Sequence, residues 1–186
     1  LSPNGNNPDR RIAAVLILVR LIDATPHMLF IRRSHRVSRH KGQISFPGGS
    51  KDSGDISLEF TALREANEEM GIDPNSLRVL GNLPATDTVA SNFLVHPYIA
   101  VPHEPTAPLE YVVDDYEVDA IIEIPLPHLI APQNKRVEHW IMRGNTFPAS
   151  FYNYKNHVIW GATARILDDF TRDIYEGKWH ELFKLA

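Results

Sequence analysis

The run "RIAAVLILVRLI", from Arg11 to Ile22, is apolar at odd and even positions alike. A strand sends alternate side chains to opposite faces, so this one has to be covered on both sides. Its most apolar part, Ile12 to Val19, is too short to span a membrane as a helix. Further β-rich, turn-bounded runs follow at "MLFIRRS", "LRVLGNL", "FLVHPYIAV", "DAIIEIPL", "EHWIMR" and "SFYNYKNHVIW". Two helices stand among them, one over about Ile56 to Met70 and one from about Ala162 to Tyr175, with room to extend past Gly177. The pattern is α+β, a mixed sheet flanked by helices, and not a regular βαβ alternation.

At 186 residues and 43% apolar content the chain fits one domain, 9–186, preceded by a polar arm over 1–8 rich in Asn, Pro and Gly. A net charge of −4 argues against a protein built to hold a long nucleic-acid backbone, while a small anionic ligand stays open. The absence of cysteine removes disulfides, thiolate metal sites and cysteine nucleophiles. No secretory layout and no membrane span are read, so a cytoplasmic protein, monomer or homodimer, is expected.

The stretch "HKGQISFPGGSKDSGDISLEFTALREANEEMGI" concentrates the chemistry. Asp55 and Ser57 are N-cap candidates for its helix, Gly71 stands at the C-terminal cap and Pro74 stops further turns. Ala62, Leu63, Ala66 and Met70 recur at helical spacing as the buried stripe, while Glu65, Glu68 and Glu69 share another face. Like charges at such spacing cost roughly 0.2–0.5 kcal/mol per pair in water, and a divalent cation reverses that sign. Oxygen donors with no Cys and no local His select magnesium or manganese over zinc. Arg64, four residues before Glu68, can pair with it. The turn Phe46-Pro47-Gly48-Gly49 combines a fixed proline φ with two glycines that allow close backbone approach, so a carbonyl can be aimed at the same ion.

These residues resemble the Nudix hydrolase signature, G-x5-E-x7-R-E-U-x-E-E-x-G-U with U apolar. "REANEEMGI", Arg64 to Ile72, matches its second half at every fixed position. In the first half Asp55 stands where the signature has Glu, and eight residues, not seven, separate it from Arg64. That spacing, and the upstream "LFIRRSHRVSRHKGQISFPGG", look like the coenzyme A diphosphatase branch, whose motif is L-L-T-x-R-[SA]-x3-R-x3-G-x3-F-P-G-G. Leu29, Arg33, Ser34, Gly42 and Phe46 to Gly49 fall in register; Ser38 stands where the motif has Arg, with Arg39 beside it. "YEVDAIIEIPL" and "WGATARIL" also look like that branch.

The resemblance implies a Nudix-type α/β/α sandwich around a mixed sheet. It implies that Glu65 and Glu69 ligate magnesium, that Glu68 assists as ligand or base, that the Gly48 carbonyl completes the site and that Arg64 orients the acids. The implied reaction is hydrolysis of the diphosphate of coenzyme A or its thioesters, a small-molecule nucleotide substrate. Such a reaction brings water to a phosphorus surrounded by negative oxygens, which divalent ions make feasible. Two general bases are carried, Glu68 and Glu117 in "DYEVD". The basic stretch from Arg32 to Lys41 flanks the turn, and part of it suits the ribose 3′-phosphate and the diphosphate; Arg33, Arg39, Gln43 and Gly49 are the substrate-binding candidates. His96, His128, His157 and His180 show no ligand spacing, and Phe151, Tyr152, Tyr154 and Trp160 serve strand packing or stacking on an adenine. The alternatives are a hydrolase of other nucleoside diphosphate derivatives (ADP-ribose, dinucleotides, damaged nucleotides) and a non-catalytic Nudix-fold binding module.

Overall fold

A computed structural model of the chain describes residues 10–37, 40–88, 91–142 and 144–185. The arm over 1–8 lies outside them. The long apolar run is strand β1 (Arg11–Ile22), and it sits at the centre of the molecule. One edge of it pairs in parallel with β7 (Phe93–Pro102), from Arg11↔Phe93 to Leu18↔Ala100. Its two faces enter two different cores. Ala13, Ile17 and Val19 join one apolar cluster, while Ala14, Leu16 and Leu18 join the other. The alternation in the sequence is therefore a double burial, and removing each such side chain from water contributes about 1.5–3 kcal/mol.

The other edge of β1 is shared. Its C-terminal part pairs antiparallel with β2 (Thr25–Arg33), and its N-terminal part with β4 (Gly48–Ser50). The two long strands splay apart, and β3 (Ile44–Ser45) and β4 fill the fork between them. Backbone bonds stitch this insertion on both sides: Leu16 N–H to Pro47 O and Lys51 N–H to Ile12 O toward β1, and Arg33 N–H to Gln43 O toward β2, all at 2.9 Å. The Phe-Pro-Gly-Gly turn is thereby built into the sheet. Beyond β2 lies β8 (Val118–Pro125), and beyond β7 lie β5 (Leu77–Asn82) and β6 (Thr86–Asp87).

Helix α1 (Leu58–Met70) and the segment carrying Leu109, Tyr111 and Val113 cover one face. Helices α2 (Leu126–Ile130) and α3 (Gly161–Tyr175) cover the other. This is an α+β sandwich around a mixed sheet, as expected. A separate antiparallel sheet, β11-β10-β9, is formed by β9 (Lys135–Met142), β10 (Asn145–Tyr154) and β11 (His157–Ile159). Asp168 of α3 ties it down, accepting from Ser150 Oγ at 2.6 Å and Tyr152 Oη at 2.7 Å and pairing with Lys135 at 2.6 Å.

Three local expectations change. The last helix stops at Tyr175, with Gly177 at φ +82° closing the turn, so it does not run past the glycine. Helix α1 starts at Leu58 and not at Ile56, because Ser57 is the cap and Ile56 is exposed. The short elements β3, β4, β6 and α2 carry too few residues for a periodic signal and were not foreseen from the pattern. No helix among the described residues is long and apolar enough to cross a membrane.

Candidate active site

Helix α1 is fixed at both ends before any ligand is considered. Ser57 accepts from the Phe60 amide at 3.0 Å, and the Gly71 amide donates to Asn67 O at 2.7 Å. Ala62, Ala66 and Met70 form the buried stripe, with Leu63 half-buried at its margin. The three glutamates do not share one exposed face. Glu68 is exposed and Glu65 half-buried, but Glu69 is 2% exposed. The helical step carries Glu69 from Ala66 toward the Phe-Pro-Gly-Gly turn, and that turn closes over it.

Glu69 is held there by two elements from the upstream stretch. Its Oε2 accepts from the Gly48 amide at 2.9 Å, and its Oε1 accepts from Arg33 at 3.4 Å. The glycines make the approach feasible. Gly48 has φ +149°, and a Cβ on it would fall 2.4 Å from Ala14 O. A Cβ on Gly49 would fall 2.5 Å from the Glu65 carboxylate.

Arg64 is the hub of the outer half of the site. It donates from Nε and Nη2 to the two Asp55 oxygens at 3.0 and 3.1 Å, from Nη2 to Glu65 at 2.9 Å and Ser50 O at 3.1 Å, and from Nη1 to Glu68 at 2.8 Å. Asp55 is buried and also accepts from Thr61 Oγ1 at 2.8 Å and the Asp52 amide at 2.9 Å. The guanidinium holds the Asp55 carboxyl well below the usual carboxylate range, and Asp55 in turn raises Arg64. At the position where the signature has Glu, Asp55 thus faces the arginine. It positions the cluster without opening onto the cleft.

The segment after β7 completes the wall. The Val112 amide donates to Met70 O and the Asp114 amide to Glu69 O, so the chain follows the end of α1. The Ser34 amide then donates to Glu117 O at 2.8 Å. Glu65, Glu68, Glu69, Asp114 and Glu117 consequently line one cleft of about 370 Å³. Asp114 was missed in the sequence, although it stands directly before "DYEVD", the run that marked Glu117. Burial pushes Glu69 up to about 8, against the Gly48 amide and Arg33, with Glu65 and Glu117 adding to the rise. Burial raises Glu65 as well, opposed by Arg64. Carboxylates crowded this way resist ionisation until a cation arrives.

The donor chemistry fits a hard divalent ion, since every cleft acid offers oxygen and no sulfur is present. Among the described residues no three acids or histidines already enclose a common ion position; Arg64, Arg33 and the Gly48 amide hold oxygens of Glu65, Glu68 and Glu69. Of the substrate-binding candidates, Arg33 lies at this cleft, 3.8 Å from Glu117, and Gly49 lies against Glu65. Gln43 is elsewhere, with its Oε1 2.8 Å from His40 Nδ1 and its residue lining a different cleft. Arg39 and Ser38 lie outside the described residues.

A mixed-sheet sandwich with this helix behind a glycine turn defines a phosphoanhydride hydrolase scaffold, and residues 10–142 match the NUDIX domain. The chain belongs to the Nudix family. It is 37% identical over 173 residues to an uncharacterized Nudix hydrolase, NudL, of Citrobacter koseri, a match covering 92% of this chain and 86% of that one. Its fold is similar to that of a MutT protein of Methanosarcina mazei, with a TM-score of 0.59 at 16% identity over 91% of this chain and 96% of the other. It is also similar to the NUDIX domain of Shewanella oneidensis NrtR, crystallised with ADP ribose, with a TM-score of 0.50 at 17% identity over 69% of this chain and 82% of that one. The protein is thus a Nudix hydrolase, of a family that acts on nucleoside diphosphate derivatives and generally needs a divalent metal.

Proposed function

We propose that this Nudix hydrolase cleaves the diphosphate of coenzyme A or its thioesters, using magnesium or manganese, to give 3′,5′-ADP and 4′-phosphopantetheine or its acyl form. The observation that carries this reading is the convergence on Glu69. Arg33, from the motif that resembles the coenzyme A diphosphatase branch, and Gly48, from the Phe-Pro-Gly-Gly turn, both bond the carboxylate that the signature helix delivers.

In this reading Glu65, Glu68 and Glu69 would hold the ion, together with the Gly48 carbonyl. Bound there, a divalent ion would supply charge screening for the diphosphate, a lowered pKa for water and support for the leaving oxygen. Arg64 keeps Glu65 and Glu68 extended into the cleft, and Asp55 keeps Arg64 in place. Arg33 stands where it can pass from Glu69 to a substrate phosphate, a contact that suits a guanidinium. A water attacks one phosphorus, the bridging P–O bond breaks, and the proton goes to a carboxylate. Glu117 and Glu68 are the candidates for that role, both lining the cleft with exposed carboxylates.

The test is an incubation with magnesium and, in parallel, coenzyme A, ADP-ribose, NADH and nucleoside triphosphates, with products separated by ion exchange and Glu69→Gln as control. Appearance of 3′,5′-ADP from coenzyme A with wild type alone supports the reading. Intact coenzyme A beside cleavage of another diphosphate refutes the substrate and leaves the family chemistry standing.

A further inference from the structure

On the face of the main sheet opposite the carboxylates lies a second cleft, of about 410 Å³, with a different chemistry. Arg32, Lys41 and Gln43 line it from β2 and the turn before β3; Asn156, His157 and Trp160 line it from β11 and its flanks. In a chain of net charge −4 its charged lining is wholly basic. Arg32 spends one nitrogen on Asp119, Nε to Oδ2 at 2.8 Å, and Lys41 is exposed with no ion pair among the described residues. Burial lowers the His157 pKa, and Arg32 and Lys155 lower it further, an independent sign that positive charge accumulates there. Trp160 is 39% exposed, with its ring centroid 6.3 Å from that of Trp140. Hydrogen-bond donors beside an open indole face are the chemistry of a phosphorylated nucleoside.

We infer that this cleft receives the base and the phosphorylated ribose of the substrate's nucleotide half. The inference rests on the reading of the carboxylate cleft given above. Two observations connect the clefts. Arg32 and Arg33 are consecutive on β2 and point to opposite faces, one into each cleft. The wall between them is a single backbone ribbon, because Gly42 donates to Arg33 O and Arg33 to Gln43 O, each at 2.9 Å. The backbone of Arg33 is paired with the turn that carries Lys41, so a diphosphate lying against Arg33 lies beside that turn. The hairpin that closes the cleft also lies beyond residues 10–142, the span of the NUDIX domain, while the match to the NudL relative covers 92% of the chain. A wall outside the common domain that supplies half of a basic, aromatic cleft is placed to select among substrates sharing one cleavage chemistry.

The test compares coenzyme A with its analogue lacking the 3′-phosphate, using wild type, Lys41→Ala and His157→Ala. Each variant is expected to raise the ratio of KM for coenzyme A to KM for the analogue about tenfold, the effect of losing one charge-assisted hydrogen bond. An unchanged ratio overturns the inference. Calorimetric titration with 3′,5′-ADP separates the sources: weaker binding by Lys41→Ala with an unchanged KM ratio assigns the cleft to a free nucleotide and overturns the substrate assignment. Should wild type leave coenzyme A uncut, the functional reading fails by itself, and the titration decides the cleft. Binding weakened about tenfold by Lys41→Ala then sustains it, whereas equal or absent binding refutes it.

Discussion

The two clefts lie on opposite faces of one sheet and are built by opposite means. The carboxylate cleft is built on one helix and the turn before it, whose Gly48 and Glu69 are 21 positions apart and bonded to each other, with Arg33, Asp114 and Glu117 brought to it from elsewhere in the chain. The basic cleft joins residues more than a hundred positions apart, Arg32 and Lys41 with His157 and Trp160, and among the described residues no hydrogen bond or ion pair links the two groups. One is preorganised and its acids stay strained without a cation. The other is an open cleft whose charged lining is basic. The cleavage chemistry of the family is read at the first, and the inference above assigns discrimination among substrates to the second.

The sharpest way to break that contrast is Glu69→Gln. Gln keeps an oxygen for the Gly48 amide but loses the charge that would hold the ion, so turnover is expected to fall by at least about 100-fold. Product formation under saturating substrate and magnesium measures it; a drop of only a few-fold would remove Glu69 from the reaction. The same residue makes a pH prediction. Its folded pKa is raised from 4.5 to about 8, so between those values the folded chain binds more protons than the unfolded chain. Stability of the metal-free protein therefore falls as pH rises through that window, and Glu65 adds in the same direction. Thermal unfolding in chelator from pH 5 to 9 should show the decline. Magnesium, which binds the ionised form, should flatten it, as should Glu69→Gln.

Asp55→Asn comes next. It removes the charge that anchors Arg64 and leaves Glu65 and Glu68 intact, so loss of activity is expected at about 10–100-fold, with weaker magnesium activation. Titrating magnesium against rate checks this, and an unaltered half-saturation point would show that Arg64 is held well enough by Ser50 and the glutamates.

How much of this was legible follows the same division. The helix, both of its caps and the pairing of Arg64 with Glu68 are set by neighbours in the chain, and spacing revealed them. The burial of Glu69 was not legible, because the covering turn reaches it only after β1 and β2 splay and admit β3 and β4 between them. Asp114 was missed for a similar reason: it reaches the cleft through the bond of its amide to Glu69 O, a contact 45 positions away that no local pattern encodes. The hairpin β10–β11 read correctly as strand, yet for Trp160 and Phe151 strand packing and stacking on an adenine both stayed open. The fold makes Phe151 buried and Trp160 a cleft wall.

The smallest effect on turnover, and the one that isolates the outer sheet, is expected from Asp168→Ala. Asp168 accepts from Ser150 and Tyr152 and pairs with Lys135, so it joins β9 and β10 to α3. Removing it leaves the Tyr152 hydroxyl without this acceptor in a buried setting, a loss of about 1–3 kcal/mol in stability by chemical denaturation. Among the described residues the carboxylate cleft shares no bond with this network, so kcat should hold. KM for a substrate that reaches the basic cleft should rise, because the hairpin carrying His157 is then less firmly seated. A fall in kcat with KM constant would instead mean that the two halves of the molecule act as one unit, and that the outer sheet supports the chemistry directly.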